Sequence, residues 1–162
     1  MACVAVLSHY SSSPAALAVE CENVTSDWLD KATRFSLEVS WSPLTAEKAA
    51  RLRLTMQAKP LVEMAAVALA LLLAHHVVRL GPLDVTSYGD RADYRSLSAF
   101  SVLEISGTET LAELSRRQRE KVTQALANPL GWDAYIVVCA FSASGHRLRF
   151  SYHRKESGDG EE

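Results

Sequence analysis

The sequence predicts an α+β or α/β domain built on a central mixed sheet flanked by helices, and three observations carry that reading. Residues 33–41 and 146–153 alternate apolar and polar side chains, as half-buried strands do. Residues 133–141 (DAYIVVCAF) form an almost unbroken apolar run rich in β-formers, the pattern of a strand covered on both faces. Residues 60–76 and 110–127 have the composition and apolar periodicity of helices. With 162 residues, 48% of them hydrophobic, the chain suits one domain with a sizeable core.

Taken in order, Ala2–Leu7 is a short apolar run expected to form a strand, ended by the turn-forming Ser11-Ser12-Ser13-Pro14. Ala15–Cys21 fits a second strand or a short helix, and Thr25–Lys31 a polar connection carrying Trp28. In the strand Thr33–Trp41, Phe35, Leu37, Val39 and Trp41 share one face, opposite Arg34, Ser36, Glu38 and Ser40. Ser42-Pro43 breaks it, and Thr45 is placed to cap a helix running towards Gln57, although Arg51–Met56 also alternates like a strand. Pro60 suits the first turn of the next helix, which is apolar nearly all round and therefore expected to be central. The chain then enters the sheet just before or just after Gly81-Pro82.

Gly89-Asp90 is a turn signal, and Phe100–Ser106 reads as a strand with Val102, Glu104 and Ser106 on one face, Leu103 and Ile105 on the other. Thr110 and Glu113 have capping-box spacing ahead of a helix whose apolar stripe is Leu111, Leu114, Val122, Ala125 and Leu126. Asn128-Pro129 and Gly131 stop it. Residues 133–141 make the central strand and Ser142–Gly145 a turn. In the last strand His146, Leu148, Phe150 and Tyr152 oppose Arg147, Arg149, Ser151 and His153, and residues 157–162 form an acidic tail.

Composition excludes more than it assigns. The 17 basic and 19 acidic residues give a net charge of -2, which makes no overall electrostatic case for nucleic acid. Cys3, Cys21 and Cys139 are odd in number and far apart, so they form no disulfide framework; each is expected to be a small core residue in a reducing, cytoplasmic setting. The N-terminal MACVAVLSHY lacks the charged start and long apolar region of a signal peptide. Met64–Val78 is charge-free, but it falls short of the ~20 residues of a membrane span and contains His75 and His76, so no membrane association is expected.

Two carboxylates call for a chemical explanation. Glu104 lies inside an apolar strand, where an unpaired carboxylate costs several kcal/mol unless a metal, a cation or hydrogen bonds satisfy it. Asp93 lies beside the turn that one hairpin would bring next to that strand, with Asp90 competing for the same place. A hard divalent cation prefers carboxylate oxygens and stabilises charge on a phosphoryl group, which is one reason to pair Asp93 with Glu104. The structural alternative pairs Glu104 with Arg91, Arg95 or Arg147. For Glu63, expected in the first turn of its helix, the alternative is a favourable place on the helix dipole.

From residue 60 onward the predicted order is helix, strand, strand, strand, helix, strand, with Glu63 in the first helix, Asp93 in GDRADY and Glu104 in LEISG. Over about residues 60–153 this resembles the PD-(D/E)xK nuclease-like superfamily. The resemblance implies a restriction-endonuclease-like core at residues 59–156, with residues 1–58 as an N-terminal extension of strands and a helix. It also implies Mg²⁺ (or Mn²⁺) held by Asp93 and Glu104, Glu63 as an outer carboxylate, and metal-dependent phosphodiester hydrolysis. The chain departs from the family at Ser106, where a lysine is usual. A substitute from the following helix fits: steps of 100° from Leu111 put Gln118 inside the apolar stripe and Lys121 at its edge. The bland alternative is that Gln118 bonds to backbone and Lys121 reaches solvent. Without a substitute, the expectation is a catalytically inactive nuclease-like scaffold or protein-interaction subunit, joined through its apolar strands or the helix from Pro60.

Arg116, Arg117 and Arg119 cluster on one predicted helix, and Arg147 and Arg149 lie on one strand with Arg154 nearby, a set able to contact nucleic-acid phosphates. Glu113 and Glu120 dilute the helical cluster. Other chemistries fare worse. His75 and His76 point about 100° apart on a helix, and His146 and His153 face opposite sides of a strand. Cys139 sits in a doubly covered strand, where a thiol is hard to ionise. No G-x-S-x-G or Gly-rich phosphate loop occurs.

Overall fold

The structure, a computed structural model, describes residues 1–26, 33–87 and 91–155. The expected connection at Trp28, the Gly89-Asp90 turn and the acidic tail lie outside the described residues. In chain order the elements are α1 (Ala2–Tyr10), β1 (Ala15–Glu22), β2 (Arg34–Val39), α2 (Pro43–Thr55), α3 (Ala58–His76), β3 (Asp84–Val85), β4 (Tyr94–Ser96), β5 (Ser101–Thr108), α4 (Leu114–Leu126), β6 (Asp133–Ser142) and β7 (Gly145–His153). A 3₁₀ turn, Leu111–Glu113, leads into α4.

The strands form one seven-stranded mixed sheet in the order β2-β1-β7-β6-β5-β4-β3, flanked by helices in an α+β arrangement. The apolar run 133–141 lies in the fourth strand of this order, where burial on both faces suits its composition. β5 and β6 are parallel, joined by α4, and β1 is parallel to β7; the remaining pairs are antiparallel. The alternation read from β2, β5 and β7 sorts their side chains onto two faces. On one, α1 and α3 pack over Leu103, Ile105, Val137, Leu148 and Phe150; on the other, Leu114 and Ala125 of α4 pack over Val102, Ala134, Ile136 and Val138. The N-terminal segment is part of this core, since Leu7, Leu17 and Val19 belong to the same cluster as Leu61 and Leu69.

Several expectations need correction. Ala2–Leu7 is the start of a helix: a short apolar run carries no periodicity to separate helix from strand, and α1 buries Ala5, Val6 and Leu7 against its neighbours. Ser42, not Thr45, caps α2, its side chain accepting from the Thr45 amide at 3.2 Å. The Thr110–Glu113 capping box does not form; the Glu113 carboxylate instead accepts from the Thr108 hydroxyl and Arg117 Nε, both at 2.9 Å. The chain enters the sheet after Gly81-Pro82. α3 is long and apolar enough to cross a membrane by length and composition, yet it packs on α1 and β5 along one face. Its other face, with Met64 at 50% and Leu72 at 42% exposure, is open, so the helix is not central on all sides.

Two features of β5 position the candidate site. β4 is short and pairs only with Ser101–Leu103, so that among the described residues the flank of β5 from Glu104 to Thr108 has no strand partner on that side. Along that flank α3 comes so close that a Cβ on Gly107 would lie 2.6 Å from the Val62 carbonyl oxygen, which only glycine avoids.

Candidate functional site

Two side-chain carboxylates stand where the missing strand would be. Asp93, one residue beyond the last β4–β5 ladder pair, accepts a hydrogen bond at Oδ2 from the Ile105 amide (2.7 Å). Glu63 accepts at Oε2 from the Gly107 amide (2.8 Å). Alternate amides of a strand point to the same side, so these two carboxylates satisfy successive outward donors of β5 and end the sheet without leaving buried N–H groups unpaired. The place expected for Glu63 is corrected here. α3 begins at Ala58, so Glu63 falls in its second turn, and its partner is a strand amide rather than its own helix terminus.

Glu104 is fully buried on the opposite face from α3, among Val102, Ile136 and Val138. Its Oε1 accepts from Lys121 Nζ, and its Oε2 has no hydrogen-bond partner. The cation beside Glu104 is therefore Lys121 rather than Arg91, Arg95 or Arg147. Arg147 stands across β6 and β7 level with Thr108, four residues along the strand from Glu104. Burial pushes the Glu104 carboxyl up to about 7; the hydrogen bond from Lys121 draws it back, the nearby Asp93 charge raises it, and the Lys121 charge and the Asp93 backbone amide lower it again.

α4 runs back over β5, and the two periods match. Four helical residues rise about 6 Å and two strand residues advance about 6.6 Å. Lys121 and Arg117, four apart on α4, accordingly meet Glu104 and Ser106, two apart on β5. Arg117 Nη1 donates to Ser106 Oγ at 3.2 Å, and its Nε is held by Glu113. Ser106 is thus covered by an arginine. Gln118 lies inside the helical stripe as expected, where its Nε2 donates to Ser151 Oγ of β7 while its buried Oε1 has no partner.

A cavity of about 430 Å³ opens at this flank, lined by Glu63, Val67, Asp93, Tyr94, Ile105 and Lys121 among others. Glu104 lies behind Lys121, out of solvent contact. Among the described residues no group of three or more His, Cys, Asp or Glu side chains is placed to hold a metal ion. What the flank offers is one carboxylate with a free buried oxygen beside a second, Asp93, that spends Oδ2 on a backbone amide. A hard cation of the Mg²⁺ kind takes one or two carboxylates and completes its shell with water and phosphate oxygens, and of these two carboxylates only Asp93 lines the cavity.

The expected phosphate-binding arginines are dispersed. Arg116 pairs with Glu120 (2.5 Å), Arg117 with Glu113 (2.9 Å) and Arg149 with Glu20 (3.1 Å), so three of the five meet carboxylates within the protein. Arg119 and Arg147 lie on exposed positions of α4 and β7. Cys21 and Cys139 are buried and Cys3 is half-buried; all three are free thiols, and burial pushes Cys139 well above its ordinary value.

The use of Asp93 and Glu63 as substitutes for a strand escaped the sequence, because it depends on β4 being only three residues long. Comparison of the chain with protein families, with characterised proteins and with solved structures returns no match.

Proposed function

We propose that the flank of β5 is a metal-dependent phosphodiester-hydrolysing site, with Asp93 and Glu104 as ligands of Mg²⁺ or Mn²⁺. The observation that carries the reading is the buried Glu104: one oxygen is on Lys121, the other has no partner, and the Asp93 carboxylate lies next to it at the mouth of a cavity. A buried carboxyl with an unused oxygen is costly when ionised unless a cation or a proton meets that oxygen. When bound, the cation would supply Lewis-acid stabilisation of phosphoryl charge and lower the pKa of a water. Lys121 supplies a movable ammonium from α4 in place of the lysine absent at 106, and on this reading it shifts from Glu104 towards the phosphate or the attacking water. Glu63 fixes the β5 backbone at Gly107 and lines the same cavity.

A second reading has its own observation. Asp93 and Glu63 are each engaged with a β5 amide and Glu104 is neutralised by Lys121, so the cluster can serve as the edge of a catalytically inactive scaffold. Calorimetric titration with Mn²⁺ decides between them. The active reading expects saturable binding by the wild type that is lost in Glu104→Gln, together with Mg²⁺-dependent hydrolysis of an oligonucleotide lost in the same variant. Equal heats for the two proteins, or none in either, would leave only the scaffold.

A further inference from the structure

β2 closes the sheet at the end away from the Asp93–Glu63 flank, and among the described residues no strand pairs with its outer side. The Cys21 amide of β1 donates to the Thr33 carbonyl at 2.8 Å, in step with the β1–β2 register. Alternate residues of an antiparallel strand turn their amide and carbonyl to the same neighbour, so Phe35, Leu37 and Val39 bond to β1. Arg34, Ser36 and Glu38 point theirs away from the sheet. The usual obstacles to strand addition are missing from this edge: β2 is six residues long, keeps one register with β1 throughout, and contains neither proline nor lysine.

The side chains of the same three residues share one face of the strand, and all are exposed. On that face a row of alternating charge crosses the sheet. Arg149 of β7 pairs with Glu20 of β1 at 3.1 Å, and Glu20 with Arg34 of β2 at 3.4 Å. The row stops on a cation at the open edge, where the Arg34 side chain is 80% exposed. Further along β2, Glu38 stands opposite Ala16, and its carboxylate has no ion-pair or hydrogen-bond partner among the described residues.

We propose that β2 is the interface of a symmetric dimer, in which a second copy of this chain adds its own β2 antiparallel, with the two-fold axis at Ser36. Arg34 then lies opposite the partner's Glu38, Glu38 opposite the partner's Arg34, and Phe35 opposite the partner's Leu37. The backbone groups that point outward are the ones this ladder uses, because the facing residues 34 and 38, and 36 and 36, exchange their amide–carbonyl bonds in pairs. Charge selects the register. A shift of two residues keeps the backbone bonds but sets Arg34 opposite the partner's Ser36 or the partner's Ser40, and a parallel arrangement in register sets Arg34 beside the partner's Arg34. Each strand meets its own copy, so the contact is isologous and closes at two chains. On the other face Phe35, Leu37 and Val39 sit half-buried at the border of the core, and the partner's strand continues that apolar layer across the axis. The two sheets join edge to edge, with the β5 flank of each chain left clear.

Sedimentation velocity of the full chain from about 1 µM to about 500 µM tests the interface, a range suited to a small contact area. The expected result is a rise with concentration from the 17.7 kDa chain to twice that mass. Arg34→Glu and Glu38→Arg each set like charges across the axis, twice per dimer, and each should weaken self-association at least about tenfold. Mixed in equal amounts, the two variants should associate with one another about as tightly as the wild type with itself, since every charge then meets its opposite. Ser36→Pro removes an amide that points away from β1 and should abolish the dimer with the circular dichroism of the chain unchanged; the charge variants carry the test alone if the proline disturbs the strand. A monomer throughout the range, single charge variants that associate like the wild type, or single variants that stay monomeric when mixed would each overturn the proposal. So would a dimer that persists in Ser36→Pro, which would put the contact elsewhere, on a surface such as the exposed Met64 and Leu72 of α3.

Discussion

Glu104 and Lys121 make the site sensitive to pH. The Glu104 carboxyl titrates near 7 in the fold because burial disfavours its charge, against about 4.3 in an unfolded chain. The folded state therefore holds the proton more tightly, and the stabilisation this gives is complete below about pH 4.3 and lost as pH rises through about 7. Glu104→Gln keeps the shape without the titration. Relative to wild type, its stability in urea denaturation should rise by on the order of 3 kcal/mol between about pH 4.5 and 8; a difference that stays flat would mean Glu104 does not titrate there. Lys121→Met, which strips the carboxylate of its cation, should cost roughly 1–3 kcal/mol at about pH 8 and less at about pH 5, where the proton takes the lysine's place. Protons and divalent cations compete for the same oxygen, so Mn²⁺ affinity should strengthen as pH rises from about 6 to 8, measured by calorimetry in matched buffers.

At the scale of elements, Gly107 and Ser42 give direct tests. Gly107→Ala sets a methyl against the Val62 backbone, which cannot turn aside as a side chain can, and should cost about 1–3 kcal/mol in urea denaturation. Ser42→Ala removes the α2 cap and should cost about 1 kcal/mol. Periodicity disclosed most elements: the alternation in β2 and β7, the continuous apolar run of β6 and the stripe of α4 each have one reading that buries the right atoms. α1 is misread as a strand because the six-residue apolar run Ala2–Leu7 carries no periodicity that separates strand from helix, and only its contacts with α2 and α3 decide. The placement of Lys121 and Gln118 towards the sheet was legible where a helical wheel reaches. It was illegible where a strand stops early, since no local pattern tells how many residues of β4 pair with β5.

At the scale of the whole molecule, residues 1–58, read from the sequence as an N-terminal extension within one domain, contribute α1 and β1 to the same apolar cluster as α3 and β7. A fragment of residues 58–155 should therefore lose the cooperative thermal transition of the full chain, and a sharp transition at unchanged temperature would show the two parts to be independent. The closeness of Gly107 to Val62 bears on how such a molecule can move. With no clearance between α3 and β5, and Glu63 bonded across the same contact, helix and strand form a rigid seam that can neither slide nor part without breaking the core. Any closure on a ligand must come from the long side chains that α4 lays over β5. The flank carrying Asp93 and Glu63 is the fixed jaw of the molecule.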